Sequence, residues 1–365
     1  MRNVDKNTFL NIDLRAIKNN YKIIRKRVGK KCLVAATVKA DAYGLGVKKI
    51  VPALIKSGCK NFFVATTNEA IELRKISKHI SIFILNGLIT NDLKLIQKYK
   101  LIPVINNLKQ LYKIEKFQRS KKIILKIALH FDTGMSRLGF DNQECKFLLK
   151  NKSIINHSNV VLIMSHLACA DNKKSSKNVS QLKEFKNIKK YFYGSKFSLS
   201  NSAGTLLGKK YHFDMVRPGI SLYGGHCQIN EKEIYKNVVS LKAKLIQTRN
   251  IKKNDTIGYG ATFKANKNMK IGTLGLGYAD GFNRLFSNNF KLTFKGKKID
   301  IVGRVSMDLI TVDLSRIKFE QDLENIEIEI INDKYSINKV SKLINTIPYE
   351  ILTNLGKRYQ RIYIP

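Results

Sequence analysis

The sequence predicts a (β/α)8 barrel followed by a mainly antiparallel β domain. From about residue 8 to 225, short apolar runs alternate with lysine-rich amphipathic stretches, a pattern typical of βα units and a parallel sheet. Eight such runs match the eight strands of a closed barrel. Beyond about residue 230, apolar and polar residues alternate with period two, which indicates antiparallel strands. We therefore predict a barrel domain at 1–230 and a β domain at 231–365.

Each predicted strand is an apolar run bounded by polar or glycine-containing turns. In the barrel these runs lie at residues 33–38, 62–65, 82–85, 102–105, 123–129, 160–164, 197–199 and 221–223. Helical stretches at 47–57 and 68–75 follow the first two runs. In the β domain the runs lie at 239–245, 270–275, 291–294, 299–312 and 326–331, and helical periodicity returns at 337–344. The polar segment 224–237 is the predicted boundary.

Composition excludes several classes of protein. The chain has 365 residues, of which 44% are hydrophobic, so it can bury a sizeable core and is not disordered. It has no run of about eighteen apolar residues and no apolar segment near its N-terminus, so we expect neither a membrane span nor a signal peptide. Five scattered cysteines without CxxC spacing argue against a disulfide scaffold or a metal site, and for the reducing cytoplasm.

The net charge of the chain is unusually positive. Sixty-seven Lys and Arg residues against 27 Asp and Glu give a formal charge of +40, which by itself indicates a nucleic-acid or anionic-membrane binder. The basic residues are dispersed, however, and accompany abundant Asn and Ile, as AT-rich codon usage would produce. We therefore favour a composition bias and expect no specific nucleic-acid or membrane partner.

A lysine follows the first predicted strand directly, in residues 38–46 (VKADAYGLG). Barrel enzymes do their chemistry at the carboxyl ends of strands, and partial burial there lowers an amine pKa and prepares it for Schiff-base formation. This segment resembles the cofactor-lysine motif of the alanine racemases, enzymes of fold type III that use pyridoxal phosphate (PLP). The resemblance implies that Lys39 binds PLP and that Tyr43 is a phosphate ligand.

Two further barrel segments carry an arginine and a histidine after apolar runs. Residues 132–139 (DTGMSRLG) place Arg137 near two glycines after an apolar run, where a guanidinium can hold an anion. Residues 165–171 (SHLACAD) place His166 just past a strand. Both resemble family motifs, which implies that Arg137 contacts the cofactor phenolate oxygen and the substrate carboxylate. The resemblance implies that His166 hydrogen-bonds the catalytic tyrosine.

The last barrel loops are rich in small residues. Segments 199–204 (LSNSAG) and 216–220 (VRPGI) follow the predicted seventh strand, where barrels often hold phosphate with backbone N–H groups. Ser202 with the amides of Gly219 and Ile220 therefore fits a phosphate site. The family resemblance assigns Arg217 to the pyridine nitrogen of PLP.

Four residues of the β domain match family motifs in order. Tyr259 lies in 257–263 (IGYGATF), Tyr278 in 277–281 (GYADG), Met307 in 303–308 (GRVSMD) and Tyr349 in 348–352 (PYEIL). The resemblance implies that Tyr259 is the second catalytic base and enters the partner subunit's active site. It makes Tyr278 an entryway residue, Met307 a backbone contact to the substrate carboxylate, and Tyr349 a phosphate ligand.

The resemblance implies an alanine racemase that works as a head-to-tail homodimer with shared active sites. Such an enzyme interconverts L-alanine and D-alanine through a PLP external aldimine, with Lys39 as the base on the D-alanine face and Tyr259 on the L-alanine face. Its product, D-alanine, supplies bacterial cell-wall peptidoglycan. Rival interpretations are a serine or broad-specificity racemase, a PLP-binding carrier protein of the barrel type, and a nucleic-acid binder suggested by charge alone.

The chain departs from the family pattern at one position. Many members have a carbamylated lysine two residues before the DTGM motif, whereas this chain has His130. Histidine forms no such carbamate, so the anchoring of Arg137 must differ. A ring nitrogen of neutral His130, a carboxylate from elsewhere in the barrel, and a small anion such as chloride are the alternatives, and the basic chain favours the anion.

Overall fold

The computed structural model describes residues 7–89, 92–318 and 326–365. These residues form two compact units. One contains Ile17–Leu222 and His226–Tyr235, and the other contains the described residues up to Ala16, Tyr223–Gly225 and Lys236–Pro365. Across those described ranges, none of the helices has both the length and the apolar character that crossing a membrane requires.

The first unit alternates strands and helices. After β1 (Thr8–Asp13) and α1 (Leu14–Val28), its strands are β2 (Leu33–Val34), β3 (Ala36–Thr37), β4 (Asn61–Val64), β5 (Ser81–Ile84), β6 (Ile102–Ile105), β7 (Lys126–His130), β8 (Asn159–Met164), β9 (Lys196–Ser198) and β10 (Met215–Val216). Its other helices are α2 (Lys39–Tyr43), α3 (Val47–Lys56), α4 (Thr67–Ile76), α5 (Leu93–Lys98), α6 (Leu108–Lys121), α7 (Asn142–Lys150) and α8 (Ser176–Lys189).

The strands of this unit close into a parallel barrel. Strands β3 to β9 form one sheet in chain order, and β2 pairs in parallel with β10. Only Ala35 separates β2 from β3, so the two occupy one strand position. The Asp214 N–H donates to the Phe197 carbonyl at 3.0 Å and the Arg217 N–H to the Ser200 carbonyl at 2.9 Å, which joins the ends of β10 to the chain around β9. The predicted barrel is confirmed.

The predicted eighth strand at 221–223 is wrong. Ile220–Tyr223 is a 3-10 helix, and the eighth strand position is Met215–Val216. The N–H groups of Leu33, Ala35 and Thr37 donate to carbonyls of Asp214, Val216 and Pro218, so the ladder uses the earlier segment. The N–H of Leu222 instead donates to Gly219 within its own turn.

Large apolar side chains fill the barrel. Phe63 and Phe83 stack with ring centroids 4.6 Å apart, within a buried cluster that also contains Ala35, Ile102, Val104, Ala128, Leu162, Met164 and Met215. Strands buried on both faces explain the near-continuous apolar runs in the sequence. Polar side chains therefore collect at the strand ends, where a barrel can hold a site.

In the described ranges, the second unit is a mainly antiparallel sheet with two short α-helices. Its strands after β1 are β11 (Val239–Ile251), β12 (Thr256–Ile257), β13 (Phe263–Lys264), β14 (Met269–Leu274), β15 (Lys291–Phe294), β16 (Lys297–Asp300), β17 (Ile310–Asp313), β18 (Glu327–Ile331) and β19 (Gln360–Ile364). Its helices are α9 (Ile337–Leu343) and α10 (Pro348–Thr353). The predicted run at 299–312 is divided between β16 and β17, with a loop between them.

Strand β1 lies in the sheet of the second unit. It pairs antiparallel with β11 and in parallel with β19, and β11 also pairs with β14 and β18. Because these backbone hydrogen bonds join β1 to the C-terminal half of the chain, a single cut near residue 230 does not separate the compact units. Domains at 1–230 and 231–365 stay a prediction.

Candidate active site

Lys39 begins a left-handed turn immediately after β3. Ala40, Asp41, Ala42 and Tyr43 have φ values of 52°, 53°, 55° and 59°, which L-residues adopt only at a cost. Hydrogen bonds from the Ala42 N–H to Val38 and from the Gly44 N–H to Ala40 stabilise the turn. Such strain persists only where the surroundings enforce it, and it collects at functional sites.

Two carboxylates hold this turn. Glu69 on α4 accepts the Ala40 N–H at 2.7 Å, and Asp41 accepts the Val47 N–H at 2.7 Å where α3 begins. Burial lowers the pKa of the half-buried Lys39, and the positive charge of Arg137 lowers it further, while Glu69 acts in the opposite direction. The turn thus presents an amine that loses its proton more readily than a surface lysine.

Arg217 is a buried cation at the end of β10. Its guanidinium donates to Ser198 Oγ at 2.5 Å and to the Ser165 carbonyl at 2.6 Å, and it approaches Nδ1 of His166 at 3.3 Å. In the described ranges no carboxylate lies within ion-pair distance of it. Burial lowers its pKa to about 9. A buried guanidinium without a counter-charge suits a ligand that accepts hydrogen bonds.

Two hydrogen-bond donors flank the ring of His166. Burial and the charges of Arg217 and Arg137 hold its pKa well below the usual value, so the ring is neutral. Arg217, which can only donate, approaches Nδ1. Nε2 lies 3.2 Å from the amide nitrogen of Asn201, whose orientation is set because its oxygen accepts the Gly204 N–H at 2.9 Å. Its NH2 group is therefore a second donor to the ring, and a neutral imidazole accepts only one of the two.

Ser202 lies at the centre of a cluster of hydrogen-bond donors, here called the Ser202 nest. Its Oγ accepts the N–H groups of Gly219 and Ser221 at 2.9 and 3.3 Å, and it lies 3.0 Å from the Ser221 hydroxyl. The Tyr43 hydroxyl packs against Gly219, since a Cβ there would lie 2.2 Å from its oxygen. Burial raises the pKa of Tyr43, so its hydroxyl keeps its proton and can donate. Ile220, which follows Gly219 directly in the chain, is buried.

The turn that carries Arg137 is built on the carboxylate of Asp132. Its Oδ1 accepts the N–H groups of Gly134 and Met135 at 2.8 Å each, and its Oδ2 accepts that of Ser136 at 2.9 Å. Ser136 has a φ of 57°, so the turn is tightly bent. Arg137 itself is exposed in this chain, so burial alone does not require a partner for it.

His130, at the end of β7, is buried and paired with an amide. Its Nδ1 lies 2.8 Å from Oδ1 of Asn106, whose NH2 group donates to the carbonyls of Leu85 and Val104. Nδ1 therefore carries the proton, and Nε2 holds the lone pair. Burial, with the charge of Arg217, lowers the pKa of His130 to about 3. An anion beside Arg137 stays a prediction.

In the second unit, three motif loops meet. A Cβ on Gly260 would lie 2.8 Å from the Arg304 guanidinium, so the loop of Tyr259 packs on the 303–308 segment. The N–H of Tyr278 donates to Ser306 at 3.0 Å, and that of Ala279 donates to Met307 at 3.0 Å. Tyr259 is 72% exposed and Met307 54% exposed. These side chains therefore form an accessible aromatic and apolar face.

Arg358 joins two of these loops. Its guanidinium binds both oxygens of Asp280 at 2.7 and 2.9 Å, and binds Asp308 at 2.7 Å. Asp280, which is buried, also accepts the Gly277 N–H at 3.0 Å. The hydrogen bonds to Asp280 raise the pKa of Arg358 above its usual value, so it stays charged. Tyr349 lies apart from these loops in the chain, on α10.

Both halves of the sequence match one known family. The profile of the alanine racemase N-terminal domain matches residues 12–227, and that of the C-terminal domain matches residues 238–363. The chain belongs to the alanine racemase family. It is therefore an enzyme of the isomerase class.

Relatives of this family resemble the chain over nearly its whole length. It is 42% identical over 355 residues to the alanine racemase of Rickettsia canadensis (strain McKiel), covering 97% of this chain and 98% of that one. The crystal structure of alanine racemase from Bartonella henselae, with covalently bound pyridoxal phosphate, is 37% identical with a TM-score of 0.94, covering 99% and 100% of the two chains. The biosynthetic alanine racemase of Pseudomonas aeruginosa is 32% identical with a TM-score of 0.89, covering 99% and 100%.

The structure brings together most of the predicted barrel residues. Tyr43, Ser202 and Gly219 meet in the nest, and Arg217 contacts His166. The positive charge of Arg137 lowers the pKa of Lys39. Their roles toward a cofactor or substrate stay predictions.

Sequence reasoning missed several residues of the alanine racemase fold that support these groups. They are Glu69, Asn106, Gln181, Asn201, Ser221 and Arg358. Ser221 follows directly after two predicted ligands and was open to detection. Asn201 directly precedes Ser202 and was equally open to detection, whereas the remaining four come from distant parts of the chain, and only folding shows what they touch.

Proposed function

We propose that the protein is a PLP-dependent alanine racemase that interconverts L-alanine and D-alanine. One observation carries the proposal. A half-buried lysine with a lowered pKa shares the carboxyl end of the barrel with a buried guanidinium that has no carboxylate partner among the described residues. This pairing suits a cofactor that needs an amine at one end and a cation at the other.

The residues present fit pyridoxal phosphate. The Ser202 nest, with the amides of Gly219 and Ser221 and the protonated hydroxyl of Tyr43, suits a phosphate group. Gly219 has no side chain where a Cβ would meet Tyr43. Family membership adds Ile220 and Tyr349 as further phosphate ligands and Arg217 as the partner of the pyridine nitrogen.

When bound, PLP supplies an electron sink that acidifies the α C–H bond of an amino acid. Lys39 then holds or returns the proton at Nζ on the D-alanine face, which its lowered pKa favours. The positive charge of Arg217 would disfavour protonation of the pyridine nitrogen beside it. An unprotonated nitrogen would withdraw fewer electrons from the amino acid. Arg137 and the backbone at Met307 orient the substrate carboxylate.

Tyr259 serves as the base on the opposite face, in a head-to-tail homodimer. Its exposure of 72% is high for a catalytic tyrosine in an isolated chain, and a partner subunit would cover it. With its proton on Nε2, His166 would donate to a phenolic oxygen. Tyr278, which lies beside Met307, would line the entryway.

Two further expectations complete the proposal. D-alanine supplies peptidoglycan, and the five unpaired cysteines favour the cytoplasm. A serine racemase is the nearest rival, because the side-chain pocket of the substrate decides between the two. A carrier protein made of the barrel alone is disfavoured by the matched C-terminal domain.

The decisive experiment measures cofactor and activity together. Purified protein should show the visible absorption band of protein-bound PLP and should interconvert L- and D-alanine much faster than L- and D-serine. Lys39→Ala should lose both properties, whereas Lys30→Ala, at an exposed lysine, should keep both. A protein without the band, or one that prefers serine, contradicts the proposal.

A further inference from the structure

The side chain of Gln181 contacts the loops that follow two neighbouring barrel strands. It projects from α8 and is 0% exposed. A buried amide is stable only where its oxygen and its NH2 group are paired. The partners of Gln181 therefore indicate its role.

The first partners lie in the loop after β8. The Gln181 oxygen accepts the Ala168 N–H at 2.9 Å, and its nitrogen donates to the His166 carbonyl at 2.9 Å. A reversed amide would set donor against donor and acceptor against acceptor, so this orientation is unique. Gln181 thus holds the backbone on both sides of Leu167.

The third partner lies in the loop after β7. The same nitrogen lies 3.3 Å from Oγ1 of Thr133, which is buried and lies 2.7 Å from the Ser165 hydroxyl. Thr133 directly precedes the tight turn that ends at Arg137. One amide therefore joins the loop of Arg137 to the loop of His166.

The link continues to the buried cation. The Ser165 carbonyl accepts from Arg217, which also contacts the ring of His166. The first turn of α8 packs on the same region, since a Cβ on Gly134 would lie 3.0 Å from Nζ of Lys177. Movement of Gln181 would disturb the backbone that sets the place of His166.

We infer that Gln181 is a positioning residue that holds the loops of Arg137 and His166 in register for proton transfer. The inference rests on the proposed racemase function. Gln181 acts through the backbone of His166 and through Thr133. Loss of the Gln181 amide should slow proton transfer on the L-alanine face, which depends on His166, more than on the D-alanine face, which Lys39 serves. The reason is that a separate turn holds Lys39.

Gln118 provides a matched control. It is also a buried glutamine on a barrel helix, and it is 1% exposed. Its oxygen accepts the Leu125 N–H at 2.6 Å, and its nitrogen donates to Ser158 Oγ at 2.8 Å. These partners precede β7 and β8, so Gln118 joins the same strands at their amino ends, away from the site.

The test compares Gln181→Met with Gln118→Met as holoenzymes. Thermal midpoints and PLP absorbance are measured together with single-turnover α-hydrogen exchange from each alanine enantiomer in D2O. Both variants should lose stability and keep the cofactor. Gln181→Met should exchange L-alanine at least about 10-fold more slowly, with a smaller loss for D-alanine. Gln118→Met should stay within about 2-fold of the native rates for both.

Equal losses from the two enantiomers, or equal behaviour of the two variants, would overturn the inference. If Gln181→Met does not fold, Thr133→Val decides, because it removes one link and leaves the contacts to Ala168 and His166. Thr133→Val should also slow exchange from L-alanine more than from D-alanine, by a smaller factor than Gln181→Met. Equal slowing for the two enantiomers would contradict the inference. Native protein that does not racemise alanine overturns the proposed function instead.

Discussion

Nδ1 of His130 lies 2.8 Å from Oδ1 of Asn106, and this contact joins the ends of β7 and β6. Because the NH2 group of Asn106 already donates to two backbone carbonyls, its oxygen must face the ring. The pair therefore holds a neutral imidazole with its lone pair on Nε2. The positive charge of Arg217 is close enough to lower the pKa of His130.

The buried His130 should make the protein less stable in acid. Its folded pKa of about 3 lies below the ordinary value of 6.5, so between these pH values the unfolded chain binds a proton that the folded chain does not. The contribution of His130 to the free energy of unfolding should be unchanged above pH 6.5 and fall below it, by about 2 kcal/mol at pH 5.

Chemical denaturation at pH 7 and pH 5 checks this expectation. His130→Gln should lose about 2 kcal/mol less than the native protein between the two pH values. His157→Gln, at an exposed histidine, should retain the native pH dependence. The same pH dependence in all three proteins would contradict a neutral buried His130.

Lys39 should carry the cofactor. Its position on the strained turn after β3 and its lowered pKa distinguish it from the many surface lysines. Borohydride reduction of the holoenzyme followed by peptide mapping should place the pyridoxyl group on Lys39. A label on any other lysine would refute the assignment.

Tyr259 and Lys39 should act on opposite faces of the substrate. In Tyr259→Phe, single-turnover α-hydrogen exchange from L-alanine should fall by on the order of 10²-fold or more, the effect of a lost general base, with a much smaller loss for D-alanine. Tyr193→Phe, at a tyrosine that is 91% exposed on the barrel unit, should exchange both enantiomers normally. Equal losses in Tyr259→Phe would argue against two bases.

Arg358 should stabilise the loops of Tyr278 and Met307. Arg358→Met leaves the buried Asp280 without its charged partner, so the free energy of unfolding should fall by about 2 kcal/mol and the KM for alanine should rise. Denaturation and steady-state kinetics check this. Lys291→Met, which removes an exposed ion pair with Asp300, should change neither, and similar effects in both variants would contradict the assignment.

Sequence patterns predicted the elements that depend on local chemistry. The apolar runs located seven barrel strand positions because strands buried on both faces must be apolar. The prediction of the eighth strand failed because the strand, Met215–Val216, is only two residues long. The segment at 221–223 is longer, but it lies in a 3-10 helix. A two-residue strand carries too little periodicity to detect.

The sequence by itself determined the fold class, the family and the motif residues, from Lys39 to Tyr349, because each lies in a contiguous segment. Only the tertiary structure decided what supports them. Gln181 meets His166 across 15 positions and Arg358 meets Asp280 across 78, and backbone hydrogen bonds placed β1 beside β19. A buried amide or charge takes its role from partners in space, and those partners exist only once the chain has folded.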